Sequence, residues 1–379
     1  MRDVVIVEAV RAPIGKRNGT LSTLLPVHLA ARVLRALLDR AQIEPALIED
    51  VIFGCVTPLG EQGANIARLA VLQAGLPVDV PAVTLNRMCG SGQQSVHFAA
   101  QAIASGDMDV VIAGGIEVMS RVPLASDWPV EWPPDFPYPL VHQGISAEMV
   151  AERWGLTRDD LDRYAYDSHV KAAAATKRGD FAQEIIPIEA PQPDGSLTTL
   201  NTDEGIRFEP NLAKMAQLQP AFKPDGVITA GNSSQISDGC AAILLMSLER
   251  AIGLGLKPRA RFAARSVVGS DPVSMLTGPI PATRGALKRS GLTLDRIDAI
   301  EINEAFASVV LAWQKEIGPD PAQVNPTGGA IAHGHPLGAT GAILLTKLLH
   351  HLEHRNGRYG LQTMCIGHGM ATATVIERL

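Results

Sequence analysis

Short β-branched runs alternate along the chain with longer stretches of helical spacing, and that alternation confines it to a layered α/β architecture. Residues 4–10 read as a strand, and residues 48–54 as another. Between them, Leu29, Val33, Leu34, Leu37 and Leu38 recur at helical spacing and predict an amphipathic helix over 26–41. Residues 93–104 carry the pattern of a buried helix, followed by an apolar strand over 110–115. The last third repeats this grammar. Residues 297–301 echo 48–52, a helix is predicted over 338–352, and 360–369 echo 110–115 as an apolar strand ending in glycines. Two related halves follow from this order.

Residues 118–250 look different. The segment 128–139 is too proline-rich for a regular helix or a central strand. Residues 158–179 predict a charged, alanine-rich helix, and 191–205 are polar and turn-rich. The expected organisation is a core half over 1–117, an inserted loop domain over 118–250 whose last part returns to the core, and a second core half over 251–379. The length also suggests about two or three domains.

A net charge of −6 argues against a nucleic-acid binder. The sequence has no run of 18 apolar residues, so no membrane span is read. Residues 1–7 read as the start of a strand rather than a signal peptide. Cysteines 55, 89, 240 and 365 show no metal or disulfide spacing, which points to a reducing cytoplasm. His350, His351 and His354 read as a solvated helix face rather than a metal set.

Chemistry concentrates in glycine-framed segments. Cys89 stands in Asn86-Arg87-Met88-Cys89-Gly90-Ser91-Gly92, where a strand turns into a helix. The positive end of that helix is expected to lower its thiol pKa. His335 stands in Gly334-His335-Pro336-Leu337-Gly338, and Cys365 in Met364-Cys365-Ile366-Gly367-His368-Gly369. Two thiols and an imidazole in such turns suggest a nucleophile, its base and a second proton carrier. Against this stand bland readings: buried apolar cysteines and a hydrogen-bonded turn histidine. Cys55 and Cys240 take the bland reading. Asn303, in Asn303-Glu304-Ala305-Phe306, and the run Ala230-Gly231-Asn232-Ser233-Ser234-Gln235 read equally as simple turns or as ligand-approach loops.

Taken together, these segments resemble the thiolase family, the acetyl-CoA acyltransferases, in family order over essentially the whole chain. The resemblance implies a five-layer α/β/α/β/α thiolase fold made of two related halves with a loop domain. It implies 3-ketoacyl-CoA thiolysis through a Cys89 acyl-enzyme, with coenzyme A as substrate and no bound cofactor or metal. His335 is then the activating base and Cys365 the second acid/base. Asn303 holds a water at an oxyanion hole, and the backbone N–H groups of Cys89 and Gly367 form a second one. Ser234, His142, Arg207 and Met275 match positions that contact coenzyme A. Ala230, Phe306 and Gln143 join them as candidate substrate contacts. A homodimer or homotetramer is expected.

Three departures stand out. Gln143 takes the place of a Met found in short-chain biosynthetic relatives, His368 replaces a glycine, and His333 adds an imidazole beside the base. His368 is expected to hydrogen-bond near Cys365. The segment Arg11 to Gly19 looks like bacterial thiolases that shorten steroid side chains. The alternatives are an acetoacetyl-CoA-forming biosynthetic thiolase, a decarboxylating ketosynthase of the same fold, which would lack Cys365, and a non-catalytic acyl-CoA-binding protein.

Overall fold

The computed structural model describes residues 2–192 and 194–379. Its strands are β1 (Val4–Arg11), β2 (Gly15–Lys16), β3 (Asp50–Gly54), β4 (Ala82–Leu85), β5 (Val110–Val118), β6 (Ile188–Pro191), β7 (Leu197–Leu200), β8 (Ser237–Ser247), β9 (Ala260–Gly269), β10 (Ala299–Ile302), β11 (Tyr359–Ile366) and β12 (Met370–Arg378). All but β6 and β7 join one sheet, in the order β10-β11-β12-β9-β1-β8-β5-β3-β4 with β2 on β8.

That sheet is one plan used twice. In the first half β3 pairs parallel with β5, β5 antiparallel with β8, and β8 antiparallel with β1. In the second, β10 pairs parallel with β11, β11 antiparallel with β12, and β12 antiparallel with β9. The parallel neighbour β4 has its counterpart in a bridge between Ile300 and Val324. The halves meet where β1 pairs with β9, only at Val5–Arg261 and Ile6–Ala260. So short a seam cannot hold them together by backbone bonds alone.

Side chains supply the rest. Along β8, Ala242, Leu244 and Met246 face an outer core with the helix Pro26–Ala41, while Ala241, Ile243 and Leu245 face a middle core. The middle core is built on the helices Ser91–Ser105 and Leu337–Arg355, a helical layer shared by both halves. A third core covers the far side, under the helices Pro279–Ser290 and Ala307–Ile317. Five alternating layers result, as the resemblance implied.

The two middle helices cross at glycines. A Cβ placed on Gly341 would lie 2.1 Å from the backbone nitrogen of Gln93, and one on Gly92 would lie 2.7 Å from the Gly338 carbonyl oxygen. One on Gly115 of β5 would meet that same oxygen at 2.0 Å. Backbone thus touches backbone where these helices begin, and any side chain would wedge them apart.

Between β5 and β8 the chain leaves the sheet and forms the helices Gln143–Arg153, Arg158–Arg178 and Leu212–Ala216 and the β6–β7 hairpin. Thr157 and Asp160 close a capping box that starts the second of these helices. Arg11, fully buried at the end of β1, clamps this excursion to the core. Its guanidinium donates to Asp203 at 2.7 and 3.1 Å and to Glu184 at 2.8 Å. Asp203 also accepts the Ile14 N–H and pairs with His333 Nδ1, both at 2.7 Å. Burial alone would raise the Asp203 carboxyl, but Arg11 and His333 hold it well below the usual carboxylate range.

Predicted elements fall within a few residues of the observed ones, with one correction to a side chain's setting. His350 does not lie on a solvated face. It is buried, with Nε2 3.2 Å from the Ala9 carbonyl oxygen, because the helix that carries it is sandwiched between the two halves. His351 is half-buried and His354 exposed.

The helix crossing generates a prediction. Gly341→Ala should cost about 3 kcal/mol or more in denaturant unfolding, since backbone must move to admit the methyl. Gly253→Ala, which meets nothing within 4 Å, is the control and should change stability by less than about 0.5 kcal/mol. Equal stability of the two variants would refute the close approach.

Candidate active site

Cys89 sits in the turn between β4 and the helix Ser91–Ser105. Met88 before it takes a left-handed φ of 47°, a cost that local bonds offset. Ser91 Oγ donates to the Met88 carbonyl at 2.6 Å and accepts the Arg87 N–H at 2.9 Å, which fixes the turn. The thiol is 6% exposed and packs beside Val56, Met119, Leu337 and Met364. Burial pushes it up to about 11, although the backbone N–H groups of Gly367 and Cys89 and the Gln143 side chain favour the thiolate. The expected lowering by the helix terminus is therefore overturned: desolvation outweighs it. At neutral pH the resting group is a thiol, and a base must take its proton.

His335 supplies an imidazole whose tautomer is legible. Thr340 Oγ1 donates its one hydrogen to the Pro336 carbonyl at 2.9 Å and lies 2.6 Å from His335 Nδ1. Nδ1 must then be the donor to Thr340, which leaves the lone pair on Nε2. Asn303 Nδ2 stands 3.3 Å from Nε2 and donates to it, in agreement. Burial lowers the imidazole to about 4, so it is neutral at physiological pH. A neutral, oriented imidazole with its lone pair on Nε2 is a base waiting for a proton.

Asn303 follows the last residue of β10, and its N–H donates to the Thr363 carbonyl of β11 at 3.0 Å. Its side-chain oxygen is buried and has no partner among the described residues. The next residue, Glu304, pins the loop by accepting from Tyr164 Oη and Ser168 Oγ at 2.8 Å, Asn325 Nδ2 at 2.9 Å and the Ile331 N–H at 3.0 Å.

Cys365 lies on β11 itself, one residue before its end, rather than in a turn. It packs with Met275, Phe306 and Ile331. Burial pushes its thiol up, and charge on Cys89 pushes it further, so the two sulfurs are electrostatic neighbours. Gly367, two residues on, offers its N–H to Cys89. The expectation for His368 is corrected. At φ 61° its side chain is exposed and turns away from Cys365, with its ring 6.1 Å from that of Trp128 and 6.2 Å from that of Trp132. His333 is likewise no partner of His335. It bonds to Asp203 and, at 2.9 Å, to the Thr327 carbonyl.

The remaining candidates form a path. Arg207 and Ala230 line an open cleft of about 400 Å³ together with Lys214, Phe208 and Met215. From Ala230 the chain runs to Ser234, whose N–H donates to the Ala305 carbonyl at 2.9 Å, beside Phe306. Phe306 meets the Phe222 ring edge-on at 6.0 Å, and Phe222 stacks on His142 at 5.0 Å. His142 caps the helix Gln143–Arg153, whose first residue reaches Cys89.

Two residues escaped the sequence reading. Thr340 lies inside the quoted glycine motif, but its role appears only with the tautomer. Glu117, on β5, accepts from the Val56 and Thr57 N–H groups at 2.8 and 3.1 Å, Gln62 Nε2 at 2.9 Å and the Gly338 N–H at 2.9 Å. It ties the start of the His335 helix to the loop after β3. The available signal was an acidic residue inside an otherwise apolar strand.

Comparison with known proteins places the whole chain among described families. The family model described as thiolase, N-terminal domain, matches residues 4–249, and that for the thiolase C-terminal domain matches 256–378. The steroid 3-ketoacyl-CoA thiolase FadA6 of Mycobacterium tuberculosis is 50% identical, covering all of this chain and 95% of its own length. A 3-ketoacyl-CoA thiolase of Vibrio vulnificus is 43% identical and an acetyl-CoA acetyltransferase of Pseudomonas aeruginosa 44%, each aligned over the full length of both chains.

Two predictions follow from the titrations and the tautomer. Alkylation of Cys89 by iodoacetamide should keep accelerating from pH 7 to 10, because the thiol ionises only near about 11. A plateau below pH 8 would mean a resting ion pair instead. Thr340→Val should lower kcat at least about tenfold by freeing the imidazole to rotate, and Thr340→Ser should restore it.

Proposed function

The chain belongs to the thiolase family, and from that premise we propose that it is a degradative 3-ketoacyl-CoA thiolase in which Cys89 carries the acyl group. The observation that carries this reading is that buried Cys89 packs with Leu337 and Met364, chain neighbours of the oriented His335 imidazole and of the second buried thiol, Cys365. A single-thiol hydrolase has no use for the second sulfur. A decarboxylating ketosynthase would be expected to lack it.

His335 Nε2 takes the Cys89 proton as the sulfur attacks the ketone carbon of a 3-ketoacyl-CoA. The oxyanion that forms is met by the N–H groups of Cys89 and Gly367, which already favour negative charge on the sulfur. Collapse breaks the bond between the second and third acyl carbons and leaves an acetyl-CoA enolate. Its oxygen is stabilised by the protonated His335 and, through a water on the otherwise unpartnered Asn303 oxygen, by Asn303. Cys365 gives its proton to the enolate carbon, and acetyl-CoA leaves. The Cys365 thiolate then takes the proton of an incoming coenzyme A thiol, whose sulfur displaces Cys89 from the thioester. The released Cys89 thiolate recovers the proton held by His335. No redox step or bound cofactor is needed.

Arg207 and Lys214, which line the cleft with Ala230, suit it to the phosphates of coenzyme A, and Ser234, Phe306, His142, Met275 and Gln143 are assigned to the rest of the thioester between there and Cys89. The fifty-percent relative and the segment from Arg11 to Gly19 favour substrates of fatty-acid or steroid side-chain β-oxidation. A homodimer or homotetramer working in the cytoplasm completes the proposal. No helix among the described residues is long and apolar enough to cross a membrane.

Thiolysis of a panel of 3-ketoacyl-CoA substrates with coenzyme A tests the reading, with acetyl-CoA as the measured product. Cys89→Ala should abolish turnover while coenzyme A still binds, and mass spectrometry should find the acyl group on Cys89 of the unaltered protein. Turnover retained in that variant would refute the nucleophile. With His335 neutral above about 4, kcat/KM should hold to about pH 5 on the acid side and fall as pH drops through that value.

A further inference from the structure

The loop Ala230 to Gln235 ends on a side chain that the thiolysis steps leave without a part. Gln235 Nε2 donates to the carbonyl oxygens of Ile331 at 2.8 Å, Gly205 at 3.0 Å and Ala332 at 3.1 Å. Three acceptors around one atom assign it as the amide nitrogen, and its two hydrogens serve all three, one of them shared. The backbone carbonyl of the same residue accepts the His335 N–H at 3.1 Å. Gln235 therefore holds both the base itself and the residues that lead into it.

His335 stands in a three-residue link, Gly334 to Pro336, between the short helix Ala330–His333 and the helix Leu337–Arg355. Gly334, at a φ of 115°, has no side chain to hold it. Thr340 orients the imidazole ring, but it belongs to the second helix and cannot fix the end of the first. A helix of four residues leaves its last carbonyls without donors of its own. The Ala330 carbonyl takes the Gly334 N–H at 3.0 Å, and the next two, on buried Ile331 and Ala332, take the Gln235 amide. The third acceptor comes from the inserted domain, where Gly205 precedes the cleft residue Arg207 by two positions. A Cβ on Gly205 would lie 2.8 Å from the Ala332 carbonyl oxygen and 2.9 Å from Gln235 Oε1, so this backbone is pressed against both.

We propose that Gln235 is a positioning residue for His335, its amide and its carbonyl together fixing the link that carries the imidazole, with Gly205 as the anchor. This deepens the proposed function and rests on it for the reaction in which the effect is read. Removing the amide leaves two buried carbonyls without a donor, and the link shifts to find others. The thiol does not follow, because Ser91 fixes the Cys89 turn separately. The distance from Nε2 to the sulfur then changes, and a misplacement of about 1 Å at reacting groups costs on the order of a hundredfold in rate.

Gln235→Met keeps the length of the side chain and removes its donors. In that variant kcat for thiolysis of the best substrate of the panel should fall about twentyfold, while the Kd of coenzyme A, measured by calorimetry, stays within about twofold. Gly205→Ala attacks the same contact from the other side and should reproduce the loss, which keeps the test open if Gln235→Met does not fold. A second readout needs no coenzyme A. Acylation of Cys89 by p-nitrophenyl acetate, followed as a burst of nitrophenolate, should slow about twentyfold in Gln235→Met and no further in Gln235→Met/His335→Ala than in His335→Ala alone. An unchanged kcat and burst would overturn the inference. So would a Kd that rises in step with the loss of turnover, which would assign Gln235 to the cleft, or a double variant whose losses multiply, which would make its role independent of the base. An unaltered protein that shows the burst but thiolyses no substrate would sink the proposed function, and the burst rates of the variants would still decide this inference.

Discussion

Everything in this molecule depends on two helices meeting backbone to backbone. The helices Ser91–Ser105 and Leu337–Arg355 come from different halves and touch through Gly92, Gly338 and Gly341. The hydrogen-bonded seam between the halves is only two residue pairs long, so this helical layer and its apolar faces do most of the joining. Each helix opens directly after a catalytic turn, one carrying Cys89 and the other His335. Close contact between the helices is therefore also close contact between the chemistries. Glu117 tightens the junction by accepting the Gly338 N–H while holding the loop after β3.

The site then solves an electrostatic problem by burial and donors rather than by a resident positive charge. The Cys89 thiol, the Cys365 thiol and the His335 imidazole are all pushed toward their neutral forms by desolvation. A neutral resting state suits a reaction in which protons move in both directions. Charge forms only transiently, at places where N–H donors or a protonated imidazole stand ready. The Nδ1–Thr340–Pro336 chain is what makes this workable, because it decides beforehand which nitrogen receives the proton.

Much of this was legible in the sequence. Hydrophobic spacing located the strands and helices, and the glycine-framed Cys89 and His335 turns marked the places where helices begin. What sequence could not supply were outcomes of competition between distant parts. The helix terminus beside Cys89 suggested a lowered pKa, but how deeply the thiol is buried depends on Val56, Met119 and Leu337, far apart in the chain. His350 looked like part of a solvated face because its neighbours are charged, yet its helix is enclosed on both sides. His368 lies three residues from Cys365, but its backbone angle turns the ring outward to the tryptophans. Glu117 was hidden because a lone acid in an apolar strand gains meaning only when its donors fold around it.

The pairing of a nucleophile near residue 90 with a base near residue 335 has a bearing on biosynthesis. A ribosome must reach residue 335, 246 positions beyond Cys89, before the imidazole exists to activate the thiol. Throughout elongation, Cys89 remains a weakly acidic thiol with no helper. Acylation assisted by His335 is thus possible only once the second half has folded against the first.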